Sequence, residues 1–140
     1  MSRIRRIAGL GLAIALACAT LGQPAAQRPQ DEGTRQLLVD AVEAAADLDL
    51  YSARCRSDGS GRRTDNLNKA LVGKFRMTVI QVQDDFFPER SYRRVQDRLQ
   101  SDFLERLRAA GGCKEAKQAG MPDQLRERYD TLIRQIDALP

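Results

Sequence analysis

The sequence predicts an all-α fold: a small disulfide-tied bundle of four main helices with short helical pieces, preceded by a cleaved signal segment. Three observations carry this. Beyond residue 34, apolar residues recur at three- and four-residue spacings through most of the chain. Residues 7–17 form an unbroken run of apolar residues and glycine behind three arginines, the order of a secretory signal. Two cysteines, Cys55 and Cys113, remain beyond that signal, an even number for an oxidising compartment. At 140 residues the chain is the size of one domain.

The first element is the signal itself. Arg3, Arg5 and Arg6 precede an apolar run of 11 residues, short of the roughly 20 needed to span a bilayer. Cleavage by signal peptidase is expected after Ala19 or after Ala26. The alternative is acylation: Ala15-Leu16-Ala17-Cys18 resembles the bacterial lipobox, departing from it at Ala15, where leucine is usual. Cys18 would then carry lipid and become the first residue. The expected division is therefore 1–26 for export and cleavage, 27–33 for a flexible mature N-terminus or tether, and 34–140 for one helical domain. The formal net charge of +4 follows from the same segment. Without its three arginines, 20 basic residues face 19 acidic ones. A near-neutral remainder predicts no long-range field toward nucleic acid or anionic lipid.

The helices follow in order. Residues 34–54 are alanine-rich and free of proline, with Thr34 as the expected cap. Residues 57–61 form a loop by composition. They lack the spaced oxygens and terminal glutamate of a calcium loop, and no Gly-Lys-Ser/Thr follows them. Thr64 is the expected cap of a second helix over 65–75, with Leu67, Ala70, Leu71 and Phe75 facing inward. Residues 77–83 alternate like a strand, but no partner strand exists. Thr78 and Gln81 fit a capping box, so a short helix is favoured. Pro88 is expected to open a long helix reaching Ala110, with Tyr92, Val95, Leu99, Phe103 and Leu107 on one stripe. Gly111-Gly112 stops it. A short piece covers 114–119, and Pro122 starts a last helix to about residue 138. A Cys55–Cys113 disulfide would pin the end of the first helix to the turn after the long one.

Chemistry is narrowly bounded. The chain has no histidine, which removes Ser-His and Cys-His catalysis and histidine-ligated metals. Two cysteines alone are too few ligands for zinc, and no metal or cofactor is expected. Asp84, Asp85 and Glu89 are the best acid–base candidates, although Arg90, Arg93 and Arg94 stand close enough to neutralise them. Arg90, Arg94 and Arg98 form an i, i+4, i+8 row suited to phosphate or carboxylate groups, with Arg62 and Arg63 as further unneutralised cations. Phe86 and Phe87 are adjacent and point in different directions, so one of them is a candidate exposed anchor.

These features predict a non-enzymatic binding module of the periplasm or exterior: an adaptor, inhibitor, immunity or chaperone type whose partner is another envelope protein. Phe86, Phe87, Arg90 and Arg94 are its candidate contact residues. No nucleic acid is expected, and membrane contact only through Cys18. The alternatives are a lipid-anchored accessory subunit of an envelope complex and a small carboxylate-based hydrolase. The layout of signal, one long-range cystine and charged helices is similar to that of small periplasmic acid-stress chaperones. The similarity is one of layout, and it carries no motif.

Overall fold

Four helices pack around the first one. A computed structural model of the chain describes residues 28–140. The expected export signal, its cleavage sites and Cys18 lie outside the described residues. Among those described, 78% are helical, in six helices, with no strand.

α1 (Glu32–Cys55) opens two residues earlier than the periodicity suggested. Its cap is Asp31, whose carboxylate accepts the Thr34 N–H at 2.7 Å; Thr34 supplies the donor and not the cap. Leu38, Ala41, Val42, Ala44, Ala45, Leu48 and Tyr51 are all buried. They cover more than one face, because α2, α3, α4 and α6 all pack against α1. The alanine run has a physical purpose here. A small side chain at successive positions lets several helices approach one axis closely.

The remaining helices alternate in direction along α1. α2 (Arg62–Phe75) begins beside the far end of α1 and runs back toward its start. Its first turn is capped from outside: Asp49 of α1 accepts the Arg63 N–H at 3.0 Å and the Thr64 N–H at 2.8 Å. The helix therefore starts before Thr64, which again is a donor and not the cap. α3 (Val79–Phe86) crosses the base with the expected capping box between Thr78 and Gln81. The strand alternative is thereby excluded for these residues. Thr78→Ala removes the acceptor for the Gln81 N–H and is expected to cost about 1 kcal/mol. Urea denaturation at unchanged m-value checks this.

α4 (Tyr92–Ala109) rises parallel to α1. Pro88 does not open it. Proline sits inside a turn closed by the Arg90 N–H on the Phe87 carbonyl at 3.1 Å, and Arg90 takes the left-handed region at φ 50°. The helix starts where a cap exists: Asp84 accepts the Tyr92 N–H at 2.6 Å. α5 (Cys113–Gln118) crosses the top. α6 (Met121–Ala138) descends, and Lys74 at the end of α2 donates to the Ile136 and Asp137 carbonyls near its C-terminus at 2.8 and 2.9 Å. The result is an up-down-up-down bundle with two short crosspieces. The Cys55–Cys113 disulfide is formed, with Cα atoms 5.4 Å apart, and ties the end of α1 to the start of α5 as expected.

Candidate interaction surface

The acidic trio of the α3–α4 corner is spent on structure. Asp84 caps α4. Asp85 meets Arg28 at 3.4 Å. Glu89 accepts from Arg98 Nε. Burial is the largest single influence and raises the Glu89 carboxyl, but the Arg98 hydrogen bond, a backbone hydrogen bond and the Arg98 charge together outweigh it and hold the group below the ordinary glutamate range. The three carboxylates thus face three different partners. Carboxylate hydrolysis needs two acids across a cleft, and this arrangement provides no such uncommitted pair. Among the described residues, no group of three or more His, Cys, Asp or Glu side chains is placed to hold a metal ion.

The predicted contact residues separate. Phe87 is completely buried, with the Arg98 guanidinium 5.8 Å from its ring centre. Its ring is core and shut off from solvent, which corrects its place among the candidate contacts. The reason is the turn at Pro88, which folds the ring inward between α3 and α4. Phe86 is half-buried and lies under Arg35 at 5.7 Å. Arg90 donates to the Asp85 carbonyl in the last turn of α3, where a cation is favoured. Arg94 is exposed and makes no salt bridge among the described residues. Arg62 pairs with Asp58 at 2.8 Å, and Arg63 lies 5.7 Å over Tyr129.

The third member of the arginine row belongs to a network that sequence reading missed. Arg98 contacts Glu43 of α1 at 3.4 Å, Asp102 at 3.4 Å, and Glu89. Arg106 pairs with Asp47, and Arg128 of α6 reaches Glu43 at 3.5 Å and Asp47 at 3.4 Å. Asp47 is 3% exposed, and its carboxylate meets both of these guanidinium groups. One groove of about 270 Å³ runs among these side chains. The available signal was Asp47 itself, an acid set directly between Ala46 and Leu48 in an otherwise inward-facing run.

Acid weakens two carboxylate contacts, Asp58–Arg62 and Glu89–Arg98, in a definite direction. The Arg62 hydrogen bond lowers Asp58 to about 2, and Glu89 is also lowered. Both therefore stabilise the fold fully above their unfolded values, and that contribution is lost as pH falls through the folded ones. The urea midpoint is expected to drop between about pH 5 and about pH 2, and Glu89→Gln to flatten part of the drop. A midpoint unchanged across that range contradicts the assignment.

Among the described residues three large apolar side chains are exposed: Val72, Ile80 and Tyr92, at 38%, 51% and 38%. Two of them belong to the helices that form the α3–α4 corner: Ile80 to α3 and Tyr92 to the start of α4. Asp84 lies one turn beyond Ile80 on α3 and receives the Tyr92 N–H. The Tyr92 ring carries Arg93, whose Nε donates to its hydroxyl at 3.3 Å. No helix among the described residues is long and apolar enough to cross a membrane. No family model, curated protein or solved structure matches the chain. What the fold defines is a class, the disulfide-tied helical bundle.

Proposed function

We propose that the protein is an exported cell-envelope module that acts by binding another envelope protein and not by catalysis. Its contact surface is the α3–α4 corner: Ile80 and Tyr92 as apolar anchors, half-buried Phe86 at the flank, and Arg93 and Arg94 as the charged rim. One observation carries this reading. Every carboxylate of the corner is committed to a cap or an ion pair, while two large apolar side chains beside them stay exposed. Adaptor, inhibitor, immunity and chaperone roles all require such a surface. Acylation at Cys18 would make the same module a lipid-anchored subunit, and the mass of the mature N-terminus separates the two forms.

The test is site-specific photo-crosslinking in intact cells from positions 80 and 92, with exposed Ser101 on α4 as control. One discrete protein adduct is expected from both corner positions, and Ile80→Asp should abolish the adduct at 92. Absence of an adduct, or the same adducts from position 101, refutes the assignment.

A further inference from the structure

The disulfide gathers cations that the sequence keeps apart. Arg54 and Arg56 flank Cys55, while Lys114 follows Cys113 and Lys117 lies one turn further along α5. The Cα atoms of the two cysteines are only 5.4 Å apart. Arg108 joins them from the end of α4, where the Gly112 N–H returns to the Leu107 carbonyl at 3.0 Å. All five cations are exposed, and none makes a salt bridge among the described residues. The acids nearest to them in sequence are Glu105, Glu115 and Asp58, and Asp58 is already held by Arg62. The neutral balance of the domain is thus an average over unequal regions. Asp40, Glu43, Asp47 and Asp49 line the middle of α1, and the cations collect at its end.

We propose that this pole docks on the phosphate groups of an anionic lipid surface. The pole lacks what other polyanionic partners require. None of the exposed large apolar residues among those described, Val72, Ile80 and Tyr92, belongs to α5 or to the C-terminal turns of α1 and α4, so a protein partner would find no anchor there. Its aromatic rings, Tyr51 and Tyr129, are buried beneath Arg56 and Arg63 at 5.3 and 5.7 Å, which leaves no platform for stacked bases. Several exposed cations without an apolar anchor suit a dense sheet of headgroup phosphates, where each adds about a fivefold gain in binding. The inference rests on the export reading, which brings the protein to such surfaces, and on its diffusible form. α1 is about 36 Å long, so the pole stands far from the N-terminal end of the domain.

The experiment is co-sedimentation of the purified natural protein with vesicles of phosphatidylglycerol in phosphatidylcholine, against phosphatidylcholine alone. Binding only to the anionic vesicles, falling as salt rises, is expected. The double variant Lys114→Glu, Lys117→Glu should weaken it by more than tenfold. Arg93→Glu with Arg94→Glu, at the opposite end of α4, should change it less than about twofold. Equal binding to neutral vesicles, or equal loss from both pairs of reversals, overturns the proposal. So does binding to an oligonucleotide, an acidic peptide or free inorganic phosphate in place of the vesicles. Ile80→Asp leaves vesicle binding intact, so failure at the protein-binding corner and failure here are told apart.

Discussion

Replacing Cys55 and Cys113 together by serine is expected to lower the stability of the domain by about 4 kcal/mol, the chain-entropy value for a 58-residue loop. A domain of this size has only about 5–15 kcal/mol in total. The melting temperature should therefore fall by roughly 20 °C. The loss should be uneven. α5 has six residues, too few to hold a helix by themselves, and its attachments are the disulfide and the buried Ala116. The centre of α1 is held separately by the Asp47–Arg106–Arg128 contacts. Hydrogen exchange should accelerate most in α5 and in residues 56–61, and least around residues 41–48. Urea denaturation of the variant measures the total. A loss below about 1 kcal/mol would show that the link constrains nothing the fold does not already impose.

The second large effect separates two adjacent phenylalanines. Phe87→Ala should cost about 3–5 kcal/mol, since its ring is completely buried and its removal leaves a cavity at the junction of α3, α4 and the Arg98 side chain. Phe86→Ala should cost about 1 kcal/mol, the value of a half-exposed ring and its Arg35 contact. Thermal melts of the two variants side by side give the comparison. Equal losses would contradict the inward orientation of Phe87 and return it to the surface.

Local signals in the sequence were sufficient wherever local physics decides. The spacing of Val95, Leu99, Phe103 and Leu107 marks the buried face of α4, and all four are buried. Thr78 and Gln81 lie three residues apart, and their reciprocal capping bonds define the start of α3. The misplaced starts of α2 and α4 have one cause. α2 is capped by Asp49, 14 and 15 residues away, and α4 by Asp84, eight residues away, so neither start is set by the threonine or proline beside it. Arg98 looked like part of a solvated row because its partner Glu43 stands 55 residues upstream on another helix. The alanines of α1 announce a helix but not that it is the axis of the bundle, because small residues suit both an exposed face and a crowded one. The cationic pole is invisible to a net charge, since it exists only once the disulfide joins residues 55 and 113.

The claim beneath all of this is that the chain leaves the cytoplasm and is then closed by a sulfur–sulfur bond. Intact mass spectrometry of the natural protein, alkylated with and without prior reduction, tests it directly. The expected result is a chain shortened to Cys18 or to one of the sites just after it, which takes up alkylating reagent at Cys55 and Cys113 only after reduction. A chain that retains its first residues, with both of those thiols modified without reduction, would contradict the account.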